Sequence, residues 1–179
     1  MNDKKAQTRE RILQAASSAL VQRGPAEPSV GEVMGAAGLT VGGFYAHFES
    51  KDAMMLEAFT QLLGQRRALI AEMDSELSGE ERRALVAAFY LSRKHRDSTE
   101  QACPIPAAVG EMGRLPDNFR SALNEHIELM VAQLATNPED IDKVLADLAL
   151  MVGGLALARA LGAGELSDRL LRAAKSAVL

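Results

Sequence analysis

Tryptophan is absent from this sequence, and aromatic residues make up only 4% of it. Aromatic and β-branched residues favour strands, whereas the abundant Ala, Leu and Met favour helices, so an all-α fold is expected. Cysteine is nearly absent too. The single Cys103 excludes an internal disulfide and fits a reducing cytoplasm. Basic charge is not in excess: the formal net charge is −4. Binding to nucleic acid must therefore come from local arrangement, not bulk attraction. The most apolar stretch, Leu148 to Ala158, is bracketed by Asp147 and Arg159 and falls well short of the ~20 residues that span a bilayer. The opening stretch MNDKKAQTRERIL is too charged for a secretory leader, and no membrane role is expected. No P-loop, dinucleotide glycine pattern, nucleophile elbow or HExxH motif occurs, and three histidines and one cysteine are too scattered for a metal site. Neither an enzyme nor a cofactor is expected.

What the chain does contain is helical periodicity. Ile12, Leu13, Ala16, Ala19 and Leu20 predict a first helix stopped at Gly24-Pro25. Ser29 caps a short second helix carrying Val30, Val33, Met34 and Ala37, which Gly38 ends. Thr40 starts a third, running to about His47, and Ser50 a longer fourth with Met55, Leu56, Phe59 and Leu63. Ser78 and Glu81 form a capping box ahead of Leu85, Ala88 and Phe89. The stretch Arg96 to Pro106 is the least regular, with a short helix expected after it and ended near Gly113. Pro116 opens a helix with Phe119, Leu123, Ile127, Met130 and Leu134 on one face. Asn137-Pro138-Glu139-Asp140 starts another that stops at Gly162, and a last helix spans roughly Glu165 to Ala177. The expectation is about nine helices in two unequal parts: a three-helix domain over residues 1–50 and a helical domain over residues 51–179.

The most informative segment is SVGEVMGAAGLTVGGFYAHFESK, from Ser29 to Lys51. Two short helices joined by Ala-Gly-Leu-Thr make a helix-turn-helix. The second begins Thr40, Val41, Gly42, Gly43, almost without bulk, so its start can approach a major groove closely. Phe44 and Phe48 are expected to lock it inward, while Tyr45, His47 and Lys51 lie within reach of a phosphate backbone. Residues 1–60 hold six Lys/Arg and seven Asp/Glu. Placement must therefore compensate, through a basic N-terminal cluster of Lys4, Lys5, Arg9 and Arg11, with Glu27 and Glu57 facing away.

Ala36-Ala37-Gly38-Leu39-Thr40-Val41-Gly42-Gly43-Phe44-Tyr45-Ala46-His47-Phe48-Glu49-Ser50-Lys51-Asp52 resembles the recognition motif of the TetR family of regulators, with Leu39 in place of the commoner valine. The resemblance implies that Ser29, Thr40, Tyr45, His47 and Lys51 belong to the DNA-binding surface, Val41 and Gly43 approaching base edges beside Gly42. It also implies a ligand-responsive regulator, a repressor, that binds a near-palindromic double-stranded operator as a homodimer. Residues 148–158 are apolar around the whole helix and need a partner face. Met151, Gly153, Gly154, Leu155, Leu166, Leu170 and Ala173 are the expected dimer seam. An unidentified small-molecule effector would be lined by Tyr90, Arg93, His95, Cys103, Met112, His126 and Met130. The stretch Tyr90 to Glu111 resembles one branch of the family, with Ala102 where glycine is usual, which raises the alternative of a redox or electrophile sensor using Cys103.

Overall fold

Nine α-helices and three short 3-10 helices, and no strand, make up the described residues of the computed structural model, which are 2–99 and 102–178. The helices are α1 (Asn2–Arg23), α2 (Val30–Ala36), α3 (Lys51–Ala71), α4 (Gly79–Tyr90), α5 (Arg93–Asp97), α6 (Ile105–Ala108), α7 (Asp117–Leu134), α8 (Ile141–Leu161) and α9 (Glu165–Val178). The 3-10 helices cover Val41–Ala46, Val109–Glu111 and Pro138–Asp140. Residues 100 and 101, inside the stretch expected to be irregular, lie outside the described residues.

The contacts divide the chain into two units. One holds the chain from α1 to Leu63 together with Cys103–Ala122; the other holds Gly64–Ala102 and the chain from Leu123 to the end of α9. This differs from a division at residue 50. The first half of α3 and the α6 segment are integral to the N-terminal unit, because α1 lies against α6 as well as α2.

In the first unit Ile12, Leu13, Ala16 and Leu20 of α1 are buried, as their spacing requires, with Val33, Met34, Phe44, Phe48, Met55 and Phe59. The ring of Phe59 lies 5.8 Å from that of Phe119. Gly24 and Gly38 end α1 and α2 with φ of +80° and +68°, a region that an L side chain enters only at a cost of about 1–2 kcal/mol.

In the second unit α4, α8 and α9 pack around Ala87, Leu91, Val144, Leu148, Met151, Ala158, Leu171 and Ala174. Ser78 and Glu81 form the expected capping box on α4. On that helix Ala87 is buried, while Leu85 and Phe89 are 48% and 45% exposed and Ala88 is exposed. A methyl-sized side chain at position 87 suits close helix approach better than leucine or phenylalanine does. The buried guanidinium of Arg96 ties α5 to α9, donating to Ser167 Oγ at 2.8 Å and Asp168 Oδ1 at 2.7 Å, while Ser167 Oγ donates to Ala158 O at 2.8 Å.

By length and composition alone, Pro138–Leu161 would pass for a membrane-crossing helix. It is instead a core helix of this unit on one face, and its buried Asp147 is paired with Lys143 at 2.9 Å. The expected dimer seam is corrected accordingly. Met151 and Leu155 are 3% and 0% exposed, and a Cβ on Gly154 would lie 3.0 Å from Ala174 Cβ and 3.1 Å from Leu91 Cδ2. These three residues serve the unit's own core. The outer face carries Ala149, Leu150, Gly153, Leu157, Leu170 and Ala173, with Leu157 and Leu166 57% and 64% exposed. Leu155→Ala is expected to cost about 2–5 kcal/mol in urea denaturation, and a loss below about 1 kcal/mol would contradict its place in the core.

Candidate nucleic-acid interface

The helix-turn-helix starts at a fully formed cap. Ser29 Oγ accepts the Glu32 N–H at 3.2 Å and donates to Glu32 Oε2, which also accepts the Ser29 N–H. Arg23 holds the other carboxylate oxygen of Glu32 at 2.8 Å. That bond from Arg23, followed by those from the Ser29 N–H and hydroxyl, lowers the Glu32 pKa to about 2. The Ser29 hydroxyl, expected on the DNA-binding surface, is thus committed to the capping box. At the other end of α2, Arg11 Nη2 donates to Ala37 O at 2.6 Å, covering a carbonyl at the negative end of the helix dipole. The turn closes with Leu39 N–H to Met34 O at 2.9 Å and Gly38 N–H to Gly35 O at 2.9 Å.

The recognition segment, Val41–Ala46, is a 3-10 helix, tighter and thinner than the α-helix expected there. Two consecutive glycines and a β-branched residue disfavour the α form, and six residues are too few to propagate it alone. Phe44 is fully buried and stacks on Phe48 at 5.8 Å. This anchors the segment so that Val41 and Tyr45 point outward, 51% and 74% exposed. Thr40 precedes the segment in an extended conformation, and its hydroxyl makes no capping bond. Gly42 and Gly43 have no positive φ. A Cβ at Gly42 would meet nothing within 4 Å, and one at Gly43 only Met34 Cε at 3.9 Å. The fold therefore gives no reason for glycine at either position, and what the pair provides is a bare outer surface. His47 is half-buried, and its Nδ1 is buried without a hydrogen-bond partner.

The basic cluster is only half as expected. Arg9 forms a two-pronged bond to Glu57 and places its guanidinium 4.5 Å from the centre of the Phe48 ring. Arg11 is taken by Ala37 O. Lys4 and Lys5 remain exposed, on a regular helix. Glu57 does not face away: it faces Arg9, and Glu27 pairs with Arg23 at 3.3 Å. Lys51 donates to the Ala26 carbonyl, and Glu111 accepts the Ala26 N–H at 3.0 Å. No local pattern in the sequence pointed to Glu111.

The residues expected to line an effector site fall in both units. Cys103 and Met112 belong to the first, the other five to the second. Cys103 is 2% exposed, whereas a sensor thiol must be reachable as a thiolate. Arg93 is corrected as a lining residue, being largely exposed and 3.6 Å from Asp168. His95 lies edge-on to Tyr90 at 4.7 Å and stacks on Phe89 at 5.2 Å, with its Nδ1–H donating to Tyr90 O at 2.8 Å. His126 Nδ1 accepts from Arg67 at 2.9 Å, which leaves the ring proton on Nε2. Met130 is buried in the core of this unit.

Burial lowers both histidines to about 4; the His95–Tyr90 bond opposes the shift, and Arg66 and Arg159 near His95 and Arg67 near His126 add to it. Both rings fold neutral, so the unfolded chain binds more protons between pH 6.5 and about 4. Stability is complete above pH 6.5 and falls as the pH drops through this window, at up to about 1.4 kcal/mol per pH unit for each ring. Thermal melts from pH 7 to 4.5 are expected to show this loss, reduced in His126→Gln. A flat midpoint would contradict the buried neutral rings.

A helix-turn-helix whose recognition segment is bare at Gly42 and Gly43 beside an exposed Val41, in a chain built only of helices among its described residues, has the architecture of the helical DNA-binding class of protein. Residues 12–58 match the model of bacterial regulatory proteins of the tetR family. The HTH-type transcriptional regulator YerO of Bacillus subtilis, itself uncharacterised, is 27% identical over 166 residues, or 87% of this chain. The chain spans 54% of the length of that relative. NemR of E. coli in its reduced form has a similar fold, with a TM-score of 0.80 at 20% identity over 96% of this chain and 95% of that one. So has a TetR transcriptional regulator of Legionella pneumophila, with a TM-score of 0.79 at 21% identity over 94% of each chain. The segment that carries the helix-turn-helix is thus similar to the DNA-binding region of the tetR family of bacterial regulatory proteins, and the described residues share the fold of the neighbours named above.

Proposed function

We propose that this chain is a repressor that binds a near-palindromic operator as a homodimer and leaves it when a small-molecule effector binds. The observation that carries the DNA reading is the recognition segment. Val41 and Tyr45 project from it beside two glycines that the fold does not require. A bare surface of this kind admits the walls of a major groove, and Val41 offers apolar contact to thymine methyl groups. Tyr45, Thr40 and His47 are assigned to phosphates flanking that contact. Lys51 is assigned to a phosphate as well: its ammonium group has three N–H donors, so one can stay on Ala26 O while another makes the charged bond, the stronger of the two.

A twofold pair of such segments needs a twofold interface. The outer face of α8 and α9 supports one, with Leu150, Gly153, Leu157, Leu166, Leu170 and Ala173 forming an unpartnered apolar strip. Release by an effector requires a ligand that prefers the DNA-incompetent state, typically with a coupling of about 1–3 kcal/mol.

Selection of genomic fragments by the purified protein at near-physiological salt tests the reading. A palindrome is expected; only salt-sensitive, sequence-blind binding would contradict it. Tyr45→Ala is expected to weaken binding to the recovered fragment by about 1–2 kcal/mol, roughly tenfold, without moving the thermal midpoint. Leu157→Asp is expected to sediment as a monomer and to lose cooperative binding to both half-sites. Wild-type sedimentation of that variant would remove this face from the dimer.

A further inference from the structure

The turn between α1 and α2 is gripped by two residues far from it in sequence. The Ala26 N–H donates to Glu111 Oε2 at 3.0 Å, and the Ala26 carbonyl accepts from Lys51 Nζ. Both polar groups of one backbone residue are thereby held by charged side chains, which make the stronger kind of hydrogen bond. Lys51 opens α3, whereas Glu111 closes the 3-10 helix that follows α6. The seat is closely fitted: a Cβ at Gly24 would lie 2.6 Å from Glu111 Oε2 and 3.0 Å from Ala107 O, and Gly24 has φ of +80°. A side chain at this position would push the Glu111 carboxylate aside, and the positive φ independently favours glycine.

This turn decides where α2 begins. Only Glu27 and Pro28 separate Ala26 from Ser29, the cap of α2. α2 has only seven residues, and Gly38 passes its direction directly to the recognition segment. Whatever fixes Ala26 therefore fixes the entry of the helix-turn-helix, together with the ammonium group of Lys51. We propose that Glu111 is a positioning residue for operator binding: its bond to the Ala26 N–H holds the α1–α2 turn so that α2 and Lys51 meet DNA together. The inference rests on the operator-binding reading above. Glu111 touches no DNA and acts through Ala26.

The test uses the full chain and the fragment recovered by genomic selection. It compares wild type, Glu111→Ala and Glu111→Gln in affinity, in the dependence of affinity on salt, and in hydrogen exchange at the Ala26 amide. Glu111→Ala is expected to bind at least tenfold more weakly, with Ala26 exchange at least tenfold faster. Its salt slope should be shallower by about one phosphate contact per half-site, because Lys51 is no longer held in register. Glu111→Gln retains an acceptor oxygen and is expected to bind within threefold of wild type. If Glu111→Ala does not fold, Glu111→Asp, which withdraws the carboxylate by one methylene, should show the same weakened binding and shallower slope.

Operator binding within twofold of wild type in Glu111→Ala overturns the inference, as does Ala26 exchange at the wild-type rate. Weaker binding with an unchanged salt slope and a matching fall in folded protein would reduce Glu111 to a structural contact, and also overturns it. A wild type that selects no fragment sinks the operator reading and this inference with it. A wild type that binds beside an unimpaired Glu111→Ala sinks this inference alone.

Discussion

Two elements of seven and six residues cannot hold themselves in water. Isolated helices need roughly 12–15 residues before hydrogen bonding outweighs the cost of nucleation, so α2 and the 3-10 recognition segment exist only because other parts of the first unit hold them. Phe44 supplies the apolar hold, fully buried on the inner side of a segment that otherwise has little to bury. The polar hold comes from arginines of α1. Arg23 reaches Glu32 in the cap of α2, Arg11 reaches Ala37 O at its end, and Arg9 reaches Glu57 on α3 while covering Phe48. Arg9 and Arg11, half of the expected basic cluster, are spent on fixing the geometry of the segment around Phe44 and Phe48. The exposed face that results offers shape and apolar contact more than charge.

In the second unit the governing constraint is the double role of α8. Its inner face, with Val144, Leu148, Met151, Leu155 and Ala158, is the centre of a packed core. Its outer face, continued by Leu166, Leu170 and Ala173 on α9, leaves large apolar side chains in contact with water. Each face alone is ordinary; a helix carrying both is costly in a monomer and well suited to a twofold assembly.

Much of this was legible in the sequence because helix ends are local chemistry. Ser29 with Glu32, Ser78 with Glu81, and the glycines at 24, 38 and 162 mark boundaries through bonds and torsions within a few residues of themselves. The anchoring of the recognition segment by Phe44 and Phe48 was legible for the same reason. Phase was not. In a helix apolar on every side, periodicity does not say which residues face inward, so Met151 and Leu155 could not be told from Leu150 and Leu157. On α4, Ala87 displaced larger residues from the inner face because close packing of helices, not hydrophobicity, decided the fit. Long-range polar partners were invisible for a third reason. Arg9 meets Glu57, Arg11 meets Ala37 and Glu111 meets Ala26 across 48, 26 and 85 residues, and no local pattern encodes such a meeting.

The central claim is that specific DNA is read by the short segment from Val41 to Ala46, set by the turn at Gly38 and flanked by the start of α3. Residue-resolved hydrogen exchange with and without a genomically selected fragment tests it most directly. The account predicts slowed exchange in residues 40–51, little change in the outer turns of α4, and no such protection with a scrambled fragment of equal length. Protection that spares residues 40–51, or that is the same for the scrambled fragment, would contradict it.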